Sequence, residues 1–77
     1  MVTKTIHLTT VGRVQDFTSA MGEFDFEVDL SSGRYTVNGK SIMGILSLDL
    51  HHGITVQADV PEDQEERFLQ VLRDFMA

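Results

Sequence analysis

Hydrophobic and polar positions alternate most regularly in this chain across residues 24–30. Every second side chain there is apolar and those between are acidic, which predicts a strand with one buried and one solvated face. Similar alternation predicts strands over residues 3–9, residues 34–37 and Ile54–Ala58. Short polar segments at residues 31–33, 38–39 and 51–53 are predicted to be turns.

Apolar residues at helical spacing predict three helices: over Val11–Met21, directly after Ser41, and from Pro61 onward. The predicted order is strand, helix, strand, strand, helix, strand, helix. This order is typical of an α+β sandwich, in which helices cover one face of an antiparallel sheet. No linker or composition change divides residues 1–77, so a single domain is expected.

Composition narrows the classes of function. The chain has 77 residues, of which 42% are hydrophobic and 23% charged, as in an ordinary small globular domain. It contains no cysteine, which excludes disulfides and thiolate metal sites and fits a reducing cytoplasm. The net charge of −6 argues against nucleic acid as a partner, and no apolar run is long enough to cross a membrane.

Residues 39–48 hold more apolar side chains than one buried helical stripe needs. Ser41 is predicted to cap the short helix, because its hydroxyl can accept a hydrogen bond from a first-turn amide. On a period of 3.6 residues Ile45 and Leu48 share one face, which we assign to the core. The apolar residues left facing solvent are then Ile42, Met43 and Leu46. Exposed apolar residues grouped in this way favour a docking surface for another protein.

The run Lys-Ser-Ile-Met-Gly at residues 40–44 resembles the signature of the HPr family, the small histidine-containing phosphocarriers of the bacterial sugar phosphotransferase system. The resemblance implies an open-faced βαββαβα sandwich, with a four-stranded antiparallel sheet covered on one face by three helices. It also implies that Ser41 is a regulatory phosphorylation site. The partner contacts that it implies are Lys40, Ile42, Met43 and Leu46. The implied partners are other proteins, with phosphotransferase-system or HPr-kinase-like components among them.

The same resemblance implies a Gly-x-His-x-Arg-Pro loop that enters the first helix and carries the phosphoryl-accepting histidine. Aligning Gly12 with the glycine of that loop places Val14, Asp16 and Phe17 at the histidine, arginine and proline positions. All three functional identities are absent, and a carboxylate at the arginine position would repel a phosphoryl group. We therefore predict a degenerate phosphocarrier loop at these four residues.

The remaining histidines suggest no other chemistry. His7 is predicted on the polar side of the first strand, and His51 and His52 are adjacent in a turn. Neither place supplies the spaced ligands that a metal needs, so no metal and no cofactor are expected. The acidic pairs of the chain are interpreted as solvated faces.

Three hypotheses follow from the sequence. The preferred one is a non-catalytic, cytoplasmic HPr-like regulatory or protein-interaction module that docks through the helix after Ser41. The alternative is a functional phosphocarrier that uses a non-standard phosphoryl acceptor. A third is a homo-oligomer in which the same helix closes the interface between copies.

Overall fold

The computed structural model describes residues 1–76. Its regular elements are β1 (Val2–Ile6), α1 (Val11–Met21), β2 (Val28–Ser32), β3 (Tyr35–Asn38), α2 (Ile42–Leu46), β4 (Ile54–Ala58) and α3 (Glu65–Met76). A single 3-10 turn at Glu62–Gln64 precedes α3. The predicted βαββαβα order is confirmed, and the bounds predicted for α1 and β4 agree with the structure.

The four strands form one antiparallel sheet in the order β1–β4–β2–β3. Residues paired across neighbouring strands share a face of the sheet. On one face Ile54 pairs with Ile6, and Val56 pairs with Leu30, and all four are fully buried. The opposite face carries polar pairs such as Asp29–Gln57 and Thr5–Thr55. The helices therefore cover one face only, as predicted.

The hairpin between β2 and β3 corrects the turn predicted at residues 31–33. Ser31 and Ser32 belong to β2, and only Gly33 and Arg34 form the turn. Gly33 has φ +60°, which a side chain beyond glycine rarely adopts. Gly33 is the first of the two turn residues, and its positive φ allows this two-residue turn to join β2 and β3.

The strand predicted over residues 24–30 is wrong in its first half, since β2 begins only at Val28. Phe24 and Phe26 instead lie in the connection after α1 and pack on Phe68 of α3. The ring centroids are 5.3 Å from that of Phe68 in both cases and 5.2 Å from each other. Packing of these two rings on a helix distant in sequence therefore determines the local structure, although the alternating pattern favours a strand.

β1 is also shorter than predicted, because it ends at Ile6 rather than continuing to residue 9. Its partner β4 starts at Ile54, directly opposite Ile6, so the ladder stops there. The next amide, that of His7, donates to the carbonyl oxygen of Phe75 at 2.7 Å and turns the chain toward α3.

Helices α1 and α3 close the core over the sheet. α1 buries Val14, Phe17 and Met21, and Phe17 meets Phe75 of α3 edge to face with ring centroids 5.2 Å apart. Within residues 1–76 no helix combines the length and apolar character needed to cross a membrane.

Candidate functional site

A side-chain cap and a preceding turn determine where α2 begins. The Oγ of Ser41 accepts a hydrogen bond from the amide of Gly44 at 3.1 Å, so the predicted N-cap is confirmed. The two residues before it form a turn, in which the amide of Ser41 donates to the carbonyl of Asn38 at 3.1 Å. Gly39 permits this turn because a Cβ there would lie 2.9 Å from Cγ1 of Val28.

One side of α2 is held against the sheet. Ile45 is fully buried, and Leu48 just after the helix is buried as well. Gly44 lies so close to β3 that a Cβ on it would be 3.3 Å from the Cβ of Val37. This close approach positions α2 and leaves its opposite side in solvent.

The opposite side of α2 carries three exposed apolar side chains. Met43 is 84% exposed, Leu46 42% and Ile42 39%, so their predicted outward orientation is confirmed. We call Ile42, Met43 and Leu46 the α2 patch. Their predicted role in binding partners is a separate matter and stays a prediction.

Two further exposed apolar residues lie on elements that pack against α2, and the sequence analysis did not identify them. Tyr35, 72% exposed, is two residues before Val37 on β3 and so shares the face that α2 covers. Val11, 55% exposed, is about 160° around α1 from Arg13, given 100° per residue, and Arg13 contacts α3. Val11 therefore lies on a flank of α1 away from Arg13, and α1 also packs against α2. The two-residue spacing of Tyr35 and Val37 was a usable sequence signal, but the position of Val11 depends on helix packing.

Lys40 has a partner inside the fold. Its Nζ donates to the carbonyl oxygen of Phe24 at 2.6 Å, and its own amide donates to Oδ1 of Asn38 at 2.8 Å. The Phe24 carbonyl is available because the chain there is not part of the sheet ladder. The ammonium thus ties the start of α2 to the connection after α1, and its predicted contact with a partner stays a prediction.

The predicted phosphocarrier loop is not a loop. The four residues assigned to it are Gly12, Val14, Asp16 and Phe17, and all of them lie within α1. Val14 and Phe17 are fully buried in the core. The helix begins earlier than the predicted loop requires, since Thr10 caps it and its Oγ1 accepts from the amide of Arg13 at 3.1 Å. Thr10, rather than Val14, therefore occupies the N-terminal position of α1.

Arg13 is the cation in the first turn of α1, and it is directed toward α3. Its Nη2 donates to the carbonyl oxygen of Asp74. The guanidinium carbon also lies 4.7 Å from the centroid of the Phe75 ring. The positive charge thus stabilises the carbonyl end of α3, where a cation is favourable.

The three histidines lie near the ends of β1 and α2. His7 follows β1 and is exposed, as are His51 and His52 in the connection to β4. The ring Nδ1 of His52 is 2.8 Å from Oδ2 of Asp49. The pKa of the Asp49 carboxyl is lowered, chiefly by the hydrogen bond that it accepts from the amide of His51 at 3.0 Å, and further by His52. No group of three metal-ligating side chains comes together within residues 1–76.

A separate acidic cleft opens at the end of the sheet formed by the start of β2 and the end of β4. Its volume is about 300 Å³, and its lining residues are Met1, Glu27, Asp29, Gln57, Ala58 and Asp59. No residue of the α2 patch lines this cleft, so the two are distinct surfaces.

Comparison with known proteins decides the family. The sequence model of the family described as PTS-HPr, "PTS HPr component phosphorylation site", matches residues 13–77. The chain belongs to the HPr family of the phosphotransferase system. The match starts at Arg13, which lies beyond the capping residue of α1.

Solved structures agree with this family and its fold. The crystal structure of HPr-C-His from Thermoanaerobacter tengcongensis is similar with a TM-score of 0.80 and 24% identity, over 99% of this chain and 91% of that one. The phosphocarrier protein HPr from Bacillus anthracis str. Ames is similar with a TM-score of 0.69 and 25% identity, over 96% of this chain and 95% of that one. Both likenesses confirm the βαββαβα sandwich predicted from the sequence.

Proposed function

We propose that this HPr-family protein is a non-catalytic regulatory or protein-interaction module that docks on other proteins through the α2 patch. One contrast carries the proposal. The residues that the resemblance implies as partner contacts, Ile42, Met43 and Leu46, are exposed, whereas Val14, which aligns with the phosphoryl-accepting histidine, is buried within α1, and Thr10 caps that helix.

The surroundings of Thr10 also disfavour phosphoryl transfer. A phosphoryl group there needs cationic or amide donors that are free to meet it. The guanidinium of Arg13 is engaged with the Asp74 carbonyl and the Phe75 ring. The first turn of α1 therefore does not offer its cation to a group bound at the cap.

The shortness of α2 favours a transient complex with another protein. Functional patches on monomeric proteins measure roughly 300–600 Å², and a standard interface buries about 800 Å² on each partner. Here a helix of only five residues carries three exposed apolar side chains, and Tyr35 is exposed on the neighbouring strand β3. On the basis of this short helix we propose a transient regulatory contact rather than a permanent assembly.

The docking role is tested by comparing the proteins captured by wild type and by an Ile42→Asp variant. Met76→Asp is the matched control, because Met76 is 38% exposed on α3 and Ile42 is 39% exposed on α2. We expect phosphotransferase-system or HPr-kinase-like proteins to be captured by wild type and Met76→Asp and lost with Ile42→Asp. A partner set that Ile42→Asp leaves unchanged would mean that the α2 patch is not the interface.

We assign the regulatory modification to Ser41. Phosphorylation there adds about −1.5 to −2 charges at the start of α2, beside the patch. The hydroxyl is half-buried and already accepts a hydrogen bond from Gly44, so the change acts on the surface charge of the patch more than on the fold. Mass spectrometry after incubation with an HPr-type serine kinase is the test, with Ser47→Ala and Ser41→Ala as variants. Modification that persists in Ser41→Ala would exclude this assignment.

The alternative function, a phosphocarrier with a non-standard acceptor, is favoured by one observation. The hydrogen bond that Asp49 accepts from Nδ1 of His52 orients that ring and leaves Nε2 to act as a nucleophile. A phosphoenolpyruvate-dependent labelling assay with the family's phosphoryl donor separates the two functions. Acid-labile label that is lost in His52→Asn but kept in His51→Asn would establish the carrier and refute the non-catalytic role.

The homo-oligomer hypothesis makes a different prediction for the same surface. If copies of this chain cover the α2 patch, sedimentation shows a dimer that Ile42→Asp converts to a monomer. We expect a monomer for the wild type, which leaves the patch free for another protein.

A further inference from the structure

The most exposed residue of the α2 patch is a methionine. Met43 is 84% exposed, more than any other large apolar residue described, and it lies beside Ile42 and Leu46 on the solvent side of α2. The chain has no cysteine, so methionines are its only sulfur-containing side chains. Thioethers are oxidised reversibly to sulfoxides, which are polar.

We propose that Met43 is a redox modification site, and that its oxidation by hydrogen peroxide prevents docking through the α2 patch. In the reaction the thioether sulfur attacks one peroxide oxygen, and an S–O bond forms as the O–O bond breaks. The leaving hydroxide takes the proton from the new hydroxyl on sulfur and departs as water. Sulfur loses two electrons, peroxide gains them, and Met43 becomes methionine sulfoxide. The inference rests on the docking role proposed above.

The geometry of α2 keeps Met43 accessible. Ile45 is anchored in the core, Gly44 lies against Val37, and Ser41 caps the helix. These contacts fix the rotation of the helix, so the side chain of Met43 stays on the solvent side. Oxidation therefore requires no opening of the fold and leaves the buried contacts of α2 intact.

The consequence for docking follows from the position of the sulfur. A flexible thioether suits contact with varied apolar surfaces, and a sulfoxide oxygen there requires a hydrogen-bond partner when it is buried. A partner complementary to Ile42 and Leu46 presents apolar groups to this position. Oxidation should therefore weaken docking without changing stability, and methionine sulfoxide reductases would restore it.

The other methionines provide internal controls. Met1 is 76% exposed at the N-terminus, Met76 is 38% exposed on α3, and Met21 is fully buried. In a hydrogen peroxide time course followed by peptide mass mapping, we expect Met43 and Met1 to react at similar rates. Met43 should react about twofold faster than Met76, the ratio of their exposed fractions. Met21 should remain unmodified while the protein is folded.

The effect on the surface is measured by retention on a hydrophobic-interaction column and by capture of the partner set from the docking experiment. We expect peroxide treatment to reduce column retention and partner capture, in the wild type and in Met76→Leu alike. Met43→Leu should show unchanged column retention and partner capture after the same treatment, although its Met1 and Met76 are still oxidised. Thermal unfolding should be unchanged by oxidation of Met43.

The outcomes separate this inference from the docking proposal. If Met43 reacts no faster than Met21, or if Met43→Leu is as sensitive to peroxide as wild type, the modification site is refuted. If the oxidised wild type binds its partners unchanged while Ile42→Asp loses them, docking stands and the redox control fails. If Ile42→Asp keeps its partners, the docking proposal fails, whereas retention on the column still reports the effect of oxidation on the surface.

Discussion

Replacing Ser41 with alanine removes the hydrogen-bond acceptor at the start of α2 and adds no bulk. The Oγ accepts from the Gly44 amide at 3.1 Å, and the methyl group of alanine cannot. α2 has only five residues, a length at which an isolated helix is not stable in water. Its position therefore depends on this cap and on the buried side chain of Ile45.

The magnitude follows from the type of contact. Loss of a serine N-cap lowers the free energy of unfolding by about 1 kcal/mol. Ser41 is half-buried, so water replaces part of the lost hydrogen bond and the value should not be larger. For a domain of this size the change corresponds to a fall in Tm of about 4–8 °C. If α2 opens locally, exchange of the Gly44 amide should accelerate by about fivefold.

Urea unfolding followed by circular dichroism gives the global value, and hydrogen exchange by NMR gives the local one. Ser41→Asp keeps an acceptor and places negative charge at a helix N-terminus, so it should stay within about 0.5 kcal/mol of wild type. Ser19→Ala is the control, since Ser19 is exposed on α1. A Ser41→Ala variant as stable as this control would refute the capping role, and so would a loss in Ser41→Asp equal to that in Ser41→Ala.

Three further predictions concern the fold around the site. Phe68→Ala removes the ring at the centre of the aromatic cluster and should lower the free energy of unfolding by about 3–5 kcal/mol, measured with urea. Gly39→Ala should lower the free energy of unfolding by about 1–3 kcal/mol, because the added Cβ would meet Val28. In contrast, Gly12→Ala should raise it by about 0.5–1 kcal/mol, because no atom lies closer than 3.8 Å to the added Cβ in α1. An NMR titration should place the pKa of the Asp49 carboxyl below its ordinary 3.8. The ionised Asp49 carboxylate then contributes fully to stability at a pH above its pKa in the unfolded chain. That contribution is lost as the pH falls through the lower pKa of the folded state. Asp49→Asn should abolish this pH dependence of stability.

Local sequence patterns correctly predicted the elements that bury one regular face. The Val11–Met21 helix has one buried stripe, and the Ile54–Ala58 strand lies in the middle of the sheet, so their own periodicity sufficed. The pattern failed at Phe24 and Phe26, where burial comes from Phe68 more than forty residues later. Alternation alone cannot distinguish burial in a sheet from burial in a cluster made by a distant helix.

The candidate site shows the same division. Spacing on α2 correctly separated the buried Ile45 from the exposed Met43, and Ser41 caps the helix as predicted. The partner of Lys40 was not predictable from the sequence. Its ammonium binds the Phe24 carbonyl, which the predicted strand over residues 24–30 would have placed in the sheet ladder. The loop that the resemblance implied at Gly12, Val14, Asp16 and Phe17 is wrong, whereas helical spacing correctly placed Val14 and Phe17 in α1.

The exposure of the α2 patch is not needed for folding. The contacts that hold the helix come from Ile45, from the close approach of Gly44 to β3, and from the Ser41 cap. Met43 is 84% exposed, so a polar residue there would remove little buried apolar area and should leave stability within about 0.5 kcal/mol. Stability therefore does not account for three neighbouring apolar residues on the solvent side of one short helix. The proposed protein partner would account for them, and on the same proposal charge at Ser41 or oxygen on Met43 would act on binding before it acted on the fold.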